Sequence, residues 1–398
     1  MRICLFNNIY TPIRSGSTYF VSKLAKRLKR KGHEVVVVTS KFKGQRSEEV
    51  IDGIKVYRLP CLRIPRFEIL HNFQYFTYTF SPVNLYRIYK IIKRHRCEIL
   101  QVHGQIFDLL ASAVIMAKIM HLPLVLVIHT YIYHTNRFYN FFVTLFDKLV
   151  IKQFVKRCVV PAGDTYSINY IRDTYGIDPM FAPLIIHPMD LKAVKVDKRT
   201  IQHTKEKYMV KKELIVSLGH VHNLRDRVEI IRSMPYVIKK FPDVKLLIVG
   251  DVYTQKSVRL VKELSLEKNV SFTGALPRDE ALRLLLASDV EAHGLTLQLG
   301  LGKAATEAMA LGKPILANVD KDFLGKGVLK NWGNIILVRP GNVDDISAAL
   351  VKLLADKKLS KKIGGSAAKL IRNHFTWENT YRQFENVYSH VLKKNKKT

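Results

Sequence analysis

The chain has 398 residues, too long for one ordinary core and enough for two domains of about 200 residues each. Hydrophobic residues make up 47% and charged residues 25%, which excludes a disordered or fibrous chain. Lys and Arg number 65 against 33 Asp and Glu, a formal net charge of +32 spread over both halves, so the favoured partners are anionic: nucleotide phosphates, nucleic acid or an anionic membrane surface.

The N-terminal MRICLFNNIYTP lacks a long apolar stretch and reads directly as a first strand, so no signal peptide is expected. Ile3–Phe6 predicts a strand, Thr18–Arg30 an amphipathic helix and Glu34–Thr39 a second buried strand. Ile99–His103, Leu124–His129 and Cys158–Pro161 are further short apolar runs separated by helix-length segments. Lys118, His121 and Pro123 interrupt the most apolar stretch, Phe107–Ile128, which reads as a helix followed by a buried strand rather than a membrane span. Cys4, Cys61, Cys97 and Cys158 are scattered, without metal-like or disulfide-framework spacing, which points to a reducing, cytoplasmic compartment.

The pattern starts afresh at Leu214–Leu218 and continues with Lys245–Val249, Val270–Thr273, Pro314–Ala317 and Ile335–Val338. Strands this uniformly apolar are buried on both faces, as in a parallel sheet with helices on either side. The predicted fold class is α/β, with two tandem Rossmann-like, doubly wound parallel-sheet domains. Residues 1–190 form the first domain, 191–212 a charged linker region, 213–375 the second domain, and 376–398 a C-terminal helix that returns to the first. Ligands of such sheets bind outside the carboxyl ends of the strands, so two sheets facing each other would share a cleft.

At the first strand–helix turn, Pro12–Thr18 holds Gly16 among small residues, where backbone can approach an anion; a plain capped turn has the same composition. His103 and His129 close two apolar runs, at the edge where a ligand binds and where an imidazole can manage a proton; backbone-satisfied histidines would look alike. No histidine spacing suggests a metal. In the second half, Gly219-His220 ends a strand and Arg225 is expected to open a helix with its guanidinium near a phosphate, or else to pair with Asp226 or Glu229. Gly300-Leu301-Gly302-Lys303 leads glycines into a helix, presenting N–H donors to an anion beside Lys303. Glu307 follows one turn later, placed to accept hydrogen bonds from hydroxyls.

Glu307-Ala308-Met309-Ala310-Leu311-Gly312-Lys313-Pro314 resembles the donor-site signature of retaining glycosyltransferases of family 4, which have the two-domain GT-B fold. Lys31–Val35, Gly250 after its strand, Phe272-Thr273-Gly274 and Ser288-Asp289-Val290 are similar to recurring family segments in the same order, and the likeness runs from Arg2 to the Phe375–Glu378 region. The resemblance implies a nucleotide sugar as substrate, a glycan or lipid-linked acceptor handled by the first domain, and no cofactor or obligatory metal. Residue by residue, it implies Glu307 on the ribose, the Gly300–Lys303 backbone on the diphosphate, Arg225 in place of a phosphate-binding lysine, His129 beside the transferred sugar and Gly16 in the loop by the donor phosphate.

Three departures stand out: Leu299 where a second glutamate is usual, Ser15-Gly16 for a paired glycine, and His220 where an arginine follows Gly219. Gln298 and Glu291 are weak substitutes for the missing carboxylate. These changes leave open a catalytically weakened sugar-nucleotide binder. Nucleic acid is not an expected partner, because no DNA- or RNA-binding motif accompanies the charge. Tyr86–Arg96 and Lys148–Arg157 mix apolar and basic residues as a helix lying on the inner face of an anionic membrane does, although a helix packed on a sheet has the same period.

Overall fold

The computed structural model describes residues 1–395 except 14, 65–75, 107, 130, 133, 135, 182–197, 223–224 and 296–299. The chain divides into two compact units, Met1–Ile186 together with Trp377–Thr398, and His187–Thr376.

In the first unit the strands are β1 (Arg2–Phe6), β2 (Glu34–Ser40), β3 (Glu48–Ile51), β4 (Ile54–Leu59), β5 (Leu62–Ile64), β6 (Phe76–Tyr78), β7 (Ile99–His103), β8 (Leu124–Val127), β9 (Pro161–Ala162) and β10 (Met180–Phe181). Among the described residues its main sheet runs β3-β4-β2-β1-β7-β8, parallel except for the β3–β4 hairpin. Alternation along a strand sends neighbours to opposite faces, and both faces are covered. Cys4 and Phe6 join one core with Leu100 and Val102, under the helices Pro82–Arg94 and Leu109–Met120. Ile3, Leu5, Val35, Val37 and Ile99 join the other core, against the helices Gly16–Arg30 and Trp377–Asn395. The Leu124–His129 run pairs only to Val127, and of Cys158–Pro161 only Pro161 lies within a named strand.

In the second unit the strands are β11 (Leu214–Leu218), β12 (Lys245–Val249), β13 (Val270–Gly274), β14 (Val290–His293), β15 (Ile315–Ala317) and β16 (Ile336–Leu337). The sheet runs β13-β12-β11-β14-β15-β16, parallel throughout its described pairs. Its order reverses between β11 and β14, as that of the first sheet does between β1 and β7. Such a reversal opens a crevice at the carboxyl ends of the strands.

The described part of the expected linker differs from the sequence reading. Lys198–Lys207 is a helix of the second unit, and the next residue, Tyr208, hydrogen-bonds Glu280 at 2.5 Å. Its charged outer face hides the period, since Thr204 is buried but not apolar.

Candidate functional site

In the first unit, alternation along β7 points Gln101 and His103 to the face that receives the C-terminal helix. Gln101 and His103 are buried, and a chain of hydrogen bonds satisfies them. Tyr388 donates its hydroxyl to Gln101 Oε1 at 2.5 Å, and Gln101 Nε2 lies 2.8 Å from His103 Nε2. His103 Nδ1 then meets His129 Nε2 at 2.9 Å, with the two rings stacked 5.2 Å apart. Burial pushes the His103 pKa well below the usual histidine value, and the neighbouring His129 adds to the shift, so His103 is neutral. The amide of Gln101 donates to His103 Nε2, which leaves the His103 proton on Nδ1, pointing at His129. His129 Nε2 is therefore the acceptor of this bond. His129 itself is exposed beyond the end of β8. Phe20 packs edge-on against it at 5.2 Å.

Gly16 lies elsewhere than in a loop. The helix begins at Gly16, two residues earlier than expected, because Ser15 caps it by accepting from Thr18 N at 3.1 Å. A Cβ at Gly16 would meet nothing within 4 Å, so this position does not require glycine.

In the second unit, Gly219 follows β11 with φ of +139° and donates its N–H to Val249 O at 2.8 Å. Gly250 has the same φ, and a Cβ there would lie 2.6 Å from the Gly219 carbonyl. The close approach of these two strand ends needs glycine. His220 stands at the exposed rim, its Nδ1 accepting from Asp251 N–H at 3.1 Å.

Arg225 does not open the helix. The helix is Val228–Ile238, and Arg225 is half-buried in the preceding turn. The chain is diverted by Arg227, which sequence reasoning missed. Its buried guanidinium donates to Gly219 O at 3.1 Å and to Arg225 O at 2.5 Å, tying the strand end to the turn. Burial pulls the Arg227 pKa down to about 10, opposed by the carboxylate of Glu291, which is fully buried in β14. No spacing in the sequence marks Arg227 as different from Arg225.

Gly300 has φ of +77°, and a Cβ there would press into the Phe323 ring at 2.7 Å. Gly302 caps the helix Lys303–Ala310, which starts beyond the carboxyl end of β14, beside the sheet reversal. Glu307 is buried on this helix. Its Oε1 pairs with Arg278 at 2.8 Å and lies 3.9 Å from Lys303 Nζ. Burial raises the Glu307 pKa while Arg278 and then Lys303 hold it down; burial also lowers that of Lys303. Arg278 is a second cation that the sequence did not single out. Leu299 and Gln298 lie outside the described residues.

The second unit thus sets Gly219, Arg225, Gly302, Lys303 and Glu307 on the segments that leave β11 and β14 at the reversal. Residues 14–185 match the profile of Glycosyltransferase Family 4, and residues 198–370 that of Glycosyl transferases group 1. The chain belongs to the GT-B glycosyltransferases. An uncharacterized glycosyltransferase of Methanocaldococcus jannaschii is 22% identical to this glycosyltransferase over 405 residues, 98% of this chain and 99% of the relative. The alpha-monoglucosyldiacylglycerol synthase of Acholeplasma laidlawii is 24% identical, with 81% of each chain covered. Among solved structures, HepE from Anabaena in complex with UDP shares the fold with a TM-score of 0.73 at 16% identity, covering 98% of this chain and 100% of that one. A Rickettsia africae glycosyltransferase does so equally, at 0.73 and 16%, covering 98% of each.

Proposed function

We propose that this glycosyltransferase transfers a sugar from a nucleoside-diphosphate sugar to an acceptor hydroxyl, with retention of configuration and without a metal. The observation that carries the reading is the set of groups at the β11–β14 reversal. Two cationic side chains, Arg225 and Lys303, and a helix N-terminus accompany a buried carboxylate, Glu307. A diphosphate needs the first three and a ribose hydroxyl needs the last. HepE, which shares the fold, is solved with UDP and with UDP-glucose.

As the glycosidic C1–O bond breaks, charge accumulates on the departing diphosphate, where Arg225, Lys303 and the helix N-terminus stabilise it. The acceptor oxygen attacks C1 from the face the diphosphate leaves, and its proton passes to a phosphate oxygen. His129, in the first domain, orients the sugar through a ring whose tautomer His103 fixes. Gly219, Gly300 and Gly302 bring backbone to the nucleotide, and His220 stands at the rim of that site.

The acceptor is a glycan or lipid-linked hydroxyl presented at an anionic membrane surface. The net charge of +32 supports this reading, as does the relative named for synthesis on diacylglycerol. Among the described residues no helix is long and apolar enough to cross a membrane.

A thermal-shift screen across UDP-, GDP- and ADP-sugars tests the donor, because a ligand that binds only the folded state raises its stability. NMR of the product then tests retention. A shift with at least one donor and a product of unchanged anomeric configuration are expected. No shift with any donor overturns the reading, and an inverted product overturns its mechanism.

A further inference from the structure

The helix that follows His129 is built unlike the others of its domain. Arg137–Phe146 reads RFYNFFVTLF, yet none of its residues is buried. Phe138, Phe141, Phe142 and Leu145 recur at i, i+3, i+4 and i+7, which places them along one stripe. Phe138 and Phe141 are 66% and 63% exposed. The stripe continues past a π-helical turn, Asp147–Ile151, where Leu149 is 60% exposed. So large a contiguous apolar surface is unusual for a soluble face and marks a contact site.

The segment is held from its opposite side. Asp147 is buried and accepts from Tyr170 and Tyr175 at 2.5 and 2.8 Å, and Ile151 and Val155 enter the core. At the other end Asn136 caps the helix, and Asn140 Oδ1 accepts from His134 N at 2.8 Å. The apolar stripe is therefore a fixed outward face rather than a frayed end.

Its charges name the partner. Arg137, Lys148, Lys156 and Arg157 are exposed on the same segment, whereas Asp147, the one acid between Arg137 and Arg157, is turned into the core. We infer that Arg137–Arg157 is the membrane-docking element of this domain, its aromatic stripe entering the headgroup region of an anionic bilayer and its cations meeting the lipid phosphates. An apolar face on a segment that exposes cations and no acid fits an anionic interface. It does not fit a second copy of this chain, which would bring the same cations against it. Docking here would hold the lipid surface at a segment that begins eight residues along the chain from His129. The inference deepens the lipid-acceptor reading above and rests on it for its purpose.

The experiment is flotation of the full chain with vesicles of phosphatidylcholine alone, and with about one third phosphatidylglycerol. The variants are Phe138→Ser/Phe141→Ser/Leu145→Ser and Lys148→Gln/Lys156→Gln/Arg157→Gln. Binding to the anionic vesicles alone is expected, reduced about tenfold or more by the serine variant. The glutamine variant should bind more weakly and with a flatter salt dependence. Both should melt as the wild type does, since the altered side chains are exposed. Equal vesicle binding by the serine variant, or none by the wild type at low salt, overturns the inference. So does a wild-type dimer in light scattering that the serine variant converts to monomer. Calorimetry with UDP and GDP on the same proteins separates the two readings: nucleotide binding lost in the wild type contradicts the transferase reading alone, and docking stands or falls on the vesicles.

Discussion

Tyr388, on the C-terminal helix, donates its hydroxyl to Gln101 across 287 residues of chain and so governs which nitrogen of His129 is an acceptor. A glutamine in mid-strand, wholly buried, would cost stability if left unpaired. Tyr388 and His103 satisfy its two ends. The last helix of the chain thereby becomes part of the first domain's chemistry.

Tyr388→Phe keeps the packing and removes one donor, leaving Gln101 Oε1 buried without it. The expected loss is about 1–3 kcal/mol in urea unfolding of the first domain. Turnover should fall while the KM for the nucleotide sugar holds, because the proposed nucleotide contacts, Arg225, Lys303 and Glu307, lie in the other domain. Unchanged stability and turnover would show that the bond contributes nothing.

His103 supplies a pH dependence with a definite sign. Its folded pKa lies well below 6.5, so below pH 6.5 the unfolded chain binds a proton that the folded chain does not. The stability it contributes is whole above pH 6.5 and is lost as pH falls toward the folded value, with a slope of up to about 1.4 kcal/mol per pH unit from this residue. His33 and His95, also lowered by burial, act in the same direction. Denaturant melts of His103→Asn from pH 7.5 to 5 should show a slope smaller by close to one proton. A slope equal to that of the wild type would place the acid sensitivity elsewhere.

Two arginines two residues apart should behave differently. Arg227→Met removes the bonds to Gly219 O and Arg225 O and leaves Glu291 buried without its opposing guanidinium. It should destabilise the second domain by roughly 3 kcal/mol or more, read by thermal melting. Arg225→Ala should leave the melting temperature nearly unchanged and lower turnover more than it weakens binding of a nucleoside, which has no phosphate. If Arg225→Ala weakens nucleoside and nucleoside diphosphate equally, its phosphate role fails.

The strands were legible where the chain was uniformly apolar. β1, β2, β7, β11 and β12 fall on their predicted runs within a residue or two. β14 escaped because Glu291 interrupts it, a carboxylate buried at the centre of the sheet that reads in sequence as a surface residue. The β3–β4 hairpin escaped because β3 lies at an edge and carries Glu48 and Glu49. Glycines announced the second domain's backbone turns, yet Gly16 sits in a helix because Ser15 caps it first. The partners of the site residues were invisible for a different reason. Tyr388, Arg227 and Arg278 act through contacts that only the fold creates. The basic segments drew attention to Lys148–Arg157, whereas the exposed stripe begins earlier, at Phe138, where period alone cannot distinguish a buried aromatic from an exposed one.

The most direct test of the donor site is the affinity of Glu307→Ala for the nucleoside diphosphate of the active donor, by isothermal titration calorimetry. Loss of a charge-assisted bond to ribose should weaken binding by about 1.5–3 kcal/mol, between tenfold and somewhat over a hundredfold. The ion pair with Arg278 would be lost as well, so a melting curve accompanies the titration; a folded protein with weakened affinity is the predicted result. Wild-type affinity in Glu307→Ala with a lowered melting temperature would contradict it, and would make Glu307 a structural partner of Arg278 rather than a ligand of the donor.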